Sequence, residues 1–153
     1  MNHTIFSQRD AKWRNKKLGN SNYTIGSHGC TITALTMWIN RVIGLNLTPD
    51  QVNDRMKFVG GFSGALILWK MIDRAFINAH FVWRNYNYWN PTVAWYVYVR
   101  KLPVLVEVNG AKIGAPKHWV LYIGYGKAVD PWTGKIISTS LYPATGYALI
   151  EKR

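Results

Sequence analysis

The chain has 153 residues, with 19 Lys or Arg against 7 Asp or Glu and a single cysteine. That length suits one domain spanning residues 1–153 with room for a hydrophobic core, and the 48% hydrophobic and 14% aromatic content excludes a disordered chain. One cysteine excludes an intramolecular disulfide and a cysteine-rich zinc finger; the net charge of +12, shared evenly by the two halves, excludes a basic tail and points to an anionic partner or environment.

In chain order, residues 1–29 are polar and glycine-bearing and read as a loop-rich opening. Met1 to Asp10 has no apolar core of a signal peptide. From Thr31 the pattern changes: Leu35, Trp38, Ile39, Val42 and Ile43 fall on one face of a helix that Gly44 ends. Thr48-Pro49-Asp50-Gln51 is a capping box with proline at the first helical position, predicting a short helix through about Lys57. After Gly60 and Gly61, Ser63 caps a third expected helix from about Gly64 to Ile77. A strand-like piece follows around Ala79 to Arg84, then a tyrosine-rich turn. Asn90-Pro91 opens another short helix through about Arg100.

The second half reads as strands at Pro103 to Val108, His118 to Tyr125, Lys127 to Val129, Lys135 to Ser140 and Tyr147 to Ile150. Helices first and strands afterwards predict an α+β fold, with N-terminal helices packed on a C-terminal antiparallel sheet. The most apolar run, Gly64 to Trp69, is far below the ~20 residues that span a bilayer. The expectation is a protein without a membrane span, made in the cytoplasm without a signal peptide. It would reach an outside target only after release by another agent or as part of a virion.

The chemistry concentrates in Gly26-Ser27-His28-Gly29-Cys30-Thr31-Ile32-Thr33-Ala34. Cys30 follows a glycine loop and opens a helix, whose N-terminal partial charge and free N–H groups favour a thiolate and can hold an oxyanion beside it. Gly29 would let a substrate backbone approach. A buried, inert cysteine is the competing reading. A thiolate nucleophile needs a base. His3 lies near the terminus, His28 is too close in sequence to Cys30, and His80 has no other chemistry around it. His118 begins a rigid strand, and an antiparallel hairpin turning at Gly126 would bring Asp130 beside it to fix its tautomer. Alone, a strand-end histidine or a pre-proline aspartate is more often structural. Asp130 is preferred to Asn109 as the orienting group because Asn109 precedes the histidine and ends in a turn at Gly110. Glu107 reads as a solvated strand end. No histidine pair has metal-ligand spacing, so neither a metal nor another cofactor is expected.

Ser7-Gln8-Arg9-Asp10, Lys12-Trp13, Gly26 through Ala34, Lys117-His118-Trp119-Val120 and Val129-Asp130-Pro131-Trp132-Thr133-Gly134, in this order, resemble the C39-like group of papain-like cysteine peptidases. The likeness runs from about residue 6 to residue 150. It implies a papain-like fold, Cys30 as nucleophile, His118 as base, Asp130 as orienting residue and Gln8 as an oxyanion donor. Two features depart from the pattern. Thr31-Ile32-Thr33 stands where relatives often carry Gly-Pro-Thr, and Gln8 precedes Cys30 by 22 residues. A solvent-facing loop glutamine is the alternative for Gln8.

These readings lead to a cysteine hydrolase acting on peptide or amide bonds. A cationic, tryptophan-rich enzyme suits bacterial peptidoglycan, with anionic wall polymers as an aid to localisation, in the manner of a phage lysin. Trp119 and Trp132 flank the expected site and are the candidate groove residues. The alternatives are a peptidase processing a protein or leader peptide, as some members of that group do, and a non-catalytic basic domain binding peptide or nucleic acid. Against nucleic acid, the charges are scattered and no recognised binding signature is present.

Overall fold

The computed structural model describes residues 2–153 and is mixed α+β. Helices fill the first half: α1 (Ile25–His28), α2 (Cys30–Ile43), α3 (Pro49–Phe58) and the one-turn α4 (Ile72–Ala75). Two short strands, β1 (Phe62–Ser63) and β2 (Leu66–Ile67), form a hairpin between α3 and α4. The main sheet comprises β3 (Ala79–Asn85), β4 (Val104–Gly110), β5 (Ala115–Gly124), β6 (Lys127–Asp130), β7 (Lys135–Ser138) and β8 (Ala144–Lys152). It is antiparallel throughout, in the order β3-β8-β4-β5-β6-β7. Between β3 and β4 lies α5 (Asn90–Ala94), continued by a π-helical turn at Trp95–Val99.

The sequence dictates most of these elements locally. Leu35, Trp38 and Ile39 are fully buried on α2, which stops where Gly44 takes a left-handed conformation at φ 81°. The Thr48/Gln51 capping box and Pro49 start α3. A second capping box, Thr24 with Ser27, makes Ile25–His28 a helical turn rather than the expected loop. The third expected helix is also corrected. Gly64, at φ 60° in the first central position of the β1–β2 turn, supplies the geometry of a type II′ hairpin, and helix resumes only at Trp69. The apolar run there divides between partners: Phe62 is buried, while Leu66 on the other strand is exposed.

Two apolar clusters lie on opposite faces of the sheet. On one, Leu105, Leu121, Val129, Ala148 and Ile150 pack against α1 to α4. On the other, Val104, Val106, Val120, Ala128 and Leu149 pack against Val93 and Tyr96 of the α5 segment, with Tyr142. The sheet is therefore covered on both faces, by the N-terminal helices and by the α5 segment. Trp38 Nε1 donates to the Pro103 carbonyl at 3.1 Å, tying α2 to the start of β4.

Two non-glycine residues have positive φ, each with a local cause. Tyr125 (φ 56°) and Gly126 (φ 71°) are the central pair of the β5–β6 hairpin, a type I′ turn. Lys101 (φ 58°) follows the α5 segment as its left-handed terminator, with Leu102 N–H donating back to the Tyr96 carbonyl at 2.9 Å. Glycine is the favoured residue there, and a side chain in that conformation costs about 1–2 kcal/mol.

Candidate active site

Four segments meet around Cys30. The first is the junction of α1 and α2. Gly29 ends one helix and caps the other, with an ordinary φ of −87°. A Cβ there would strike the Ile25 carbonyl, so glycine is required by the close packing of the two helical turns. Cys30 is half-buried and reduced at the first position of α2. The first-turn N–H groups of Cys30, Thr31 and Ile32 have no intrahelical acceptor and carry the positive end of the helix dipole.

The second and third segments are the two strands of the β5–β6 hairpin. Register pairs Leu121 with Val129, which places Asp130 diagonally across from His118. The aspartate reaches back: His118 Nε2 lies 2.7 Å from Asp130 Oδ1, and the two side chains are 1% and 0% exposed. The remaining imidazole nitrogen, Nδ1, is left free of Asp130, and Cys30 lies near enough to the ring to influence its charge. Burial works against the imidazolium. The hydrogen bond His118 donates to Asp130, the carboxylate's charge and the neighbouring Cys30 outweigh it and raise the His118 pKa to about 9. Burial likewise pushes Asp130 up, but hydrogen bonds from His118, the Trp132 N–H (2.9 Å) and Tyr142 Oη (2.8 Å) hold it below the usual carboxylate range.

Tyr142 is the residue that sequence reasoning missed. It is buried, donates to Asp130 Oδ2 and stands edge-on to the His118 ring at 5.6 Å. Its own ionisation is pushed up, first by burial and then by Asp130. The sequence offers one weak signal, a tyrosine just before Pro143 and the last strand.

The fourth segment is residues 6–9. Gln8 is 2% exposed, so the solvent-facing alternative is overturned. Its backbone N–H donates to Pro131 O at 2.8 Å and its Nε2 to Gly26 O at 3.2 Å, so it joins the loop after Asp130 to the turn before Cys30. Its Oε1 is buried without a partner. One amide hydrogen of Nε2 serves Gly26, and no acceptor among the described residues takes the other. Gly134 fits here because a Cβ would press on Ser7 at 2.9 Å.

The remaining expected residues fall outside this constellation or take other roles. Trp119 is 6% exposed, packed against Trp69 at 5.1 Å with the Arg84 guanidinium at 4.7 Å from its ring centroid; it is core and offers almost no face to a groove. Trp132 is half-buried, with the Arg9 guanidinium 4.1 Å from its ring centroid and Arg9 Nε donating to its carbonyl at 2.8 Å. Glu107 is no solvated strand end: it pairs with Arg84 at 3.0 Å, both largely buried. Asn109 Oδ1 accepts from the Ala111 N–H, as a turn former. His28 stacks on Tyr23 at 3.9 Å and His80 pairs with Asp73 at 2.6 Å, both exposed.

The linked titration has a measurable consequence. The raised His118 pKa contributes stability that is complete below about 6.5 and lost as pH rises through about 9; the lowered Asp130 pKa contributes stability lost on acidification below its ordinary range. Urea unfolding is expected to show a midpoint that falls between pH 6.5 and 9, by up to about 1.4 kcal/mol per pH unit from this one proton. A His118→Asn variant is expected to lose that slope. An equal slope in the variant would assign it elsewhere.

Among the described residues no helix is long and apolar enough to cross a membrane, and no three His, Cys, Asp or Glu side chains cluster as metal ligands. In comparisons with protein-family models, curated proteins and solved structures, none matches this chain.

Proposed function

We propose that the protein is a papain-like cysteine hydrolase that cleaves peptide or amide bonds and is directed at bacterial cell-wall peptidoglycan. The observation that carries this reading is the buried His118–Asp130 pair, 2.7 Å apart, with a cysteine at a helix N-terminus beside the imidazole. His118 takes the Cys30 proton, and Asp130 stabilises the imidazolium that results. The thiolate attacks the carbonyl carbon. The Cys30 N–H and the spare Gln8 amide hydrogen receive the oxyanion, and a donor of this kind is typically worth about 2.7–4 kcal/mol. His118 passes its proton to the leaving amine, then takes one from water as water displaces the sulfur. Asp130, fixed by Tyr142 and the Trp132 N–H, keeps the ring in place throughout.

The peptidoglycan assignment rests on the +12 charge, which suits a wall rich in anionic polymer. Incubation with purified peptidoglycan is expected to release new free amines, and pretreatment with iodoacetamide near neutral pH to abolish the release. Rapid alkylation of Cys30 without amine release from peptidoglycan would leave the hydrolase and remove the substrate. A Cys30 that resists alkylation in the folded protein would remove the hydrolase.

A further inference from the structure

A cavity of about 420 Å³ lies at the far end of α2, and neither Cys30, His118 nor Asp130 lines it. The 14 residues of α2 put its last turn about 20 Å from Cys30. Val42, Leu102 and Ile123 supply apolar walls, and Arg41, Lys101 and Lys152 supply the charge. No aspartate or glutamate lines it, and among the described residues none of these three cations pairs with a carboxylate. The volume falls within the range of small-molecule sites.

Two observations set this cavity apart from the general positive charge of the surface. Arg41 Nε is buried without a hydrogen-bond partner, and burial lowers the pKa of its guanidinium. Arg41 is half-buried, and a partly desolvated cation with no carboxylate paired to it is eased by an anion nearby. Lys101 occupies the left-handed position after the α5 segment, where glycine is favoured, and its side chain borders the cavity. The wall beside it is fixed: Tyr98 Oη accepts from the Tyr125 N–H at 2.7 Å, and the two rings meet edge-on at 5.5 Å.

We propose that this cavity binds an amphipathic anion, a carboxylate or phosphate head on an apolar body. The head sits between Arg41, Lys101 and Lys152, and the body lies along Val42, Leu102 and Ile123. The negative end of α2 opposes an anion here, and three cations at one mouth outweigh it.

The test titrates the full chain with octanoate and with octyl phosphate, followed by calorimetry and by amide NMR shifts. Octan-1-ol, acetate and inorganic phosphate serve as controls for tail and head alone. The expected result is one molecule per chain, shifts centred on Val42, Leu102 and Ile123, and controls at least tenfold weaker. The tighter of the two amphiphiles identifies the head group. Arg41→Gln and Lys101→Gly are each expected to weaken binding at least tenfold. Lys101→Gly also relieves the positive φ, so the variant is expected to fold and decides the matter alone if Arg41→Gln does not. Octanol binding as tightly as octanoate, several molecules spread over the surface, affinity within twofold in Lys101→Gly, or no binding of either amphiphile would overturn the proposal.

Discussion

Cys30→Ala is expected to lower turnover by at least about 10⁴-fold while leaving the protein folded. The two halves of this expectation rest on different features. Under the proposed mechanism turnover would fall because the neighbouring Thr31 and Thr33 hydroxyls have no comparable link to the imidazole and cannot replace the thiol. The fold survives because Cys30 is only half-buried, and alanine is a good helix former at the first turn of α2. Circular dichroism and a thermal melt, run beside the peptidoglycan assay, check both. A folded Cys30→Ala protein with full activity would dismiss the nucleophile.

Asp130→Ala is expected to act on activity and stability together. Removing the carboxylate strands the His118 Nε2, the Tyr142 hydroxyl and the Trp132 N–H, all of which point at its two oxygens. Breaking a buried charge pair from one side costs about 3–5 kcal/mol. For a domain of this size that is a fall in Tm of roughly 6–20 °C. Activity, measured below the variant's melting range, is expected to drop about 10²–10⁴-fold because the imidazole loses its tautomer and orientation. Asp130→Asn separates the effects. Its carbonyl oxygen still accepts from His118, and its amide can donate to the Tyr142 oxygen, so most of the stability returns. An Asp130→Ala protein with an unchanged melt and unchanged activity would reduce the aspartate to a turn residue.

The elements read most directly from sequence are those whose signals are local. Helix α2 shows its buried face at 3- and 4-residue spacing, α3 shows its capping box, and β5 and β6 show β-branched runs around a Tyr-Gly turn. The segment from Gly64 to Ile77 misleads because its apolar residues serve several partners, with a hairpin, a 3-10 turn and one helical turn in place of a single periodic face. The His118–Asp130 pairing is legible through the hairpin that the two neighbouring strand segments predict. Tyr142 is not, since nothing local marks a tyrosine twelve residues past Asp130 as its hydrogen-bond donor. Trp119 misleads for a related reason: a tryptophan beside a candidate base suggests a groove, but strand alternation turns its side chain towards Trp69 and the core. Arg84 explains Glu107 in the same way, by a contact 23 residues away along the chain.

The sheet order carries a consequence for synthesis. Strand β8 lies between β3 and β4, so the edge strand β3 stays unattached to the rest of the sheet until residues 144–152 are in place. Tyr142, which anchors Asp130, emerges from the ribosome only just before them. A nascent chain therefore contains Cys30, His118 and Asp130 before it contains the residues that complete their scaffold. The assembled site forms only after residues 142–152 have been made and β8 has been inserted between β3 and β4.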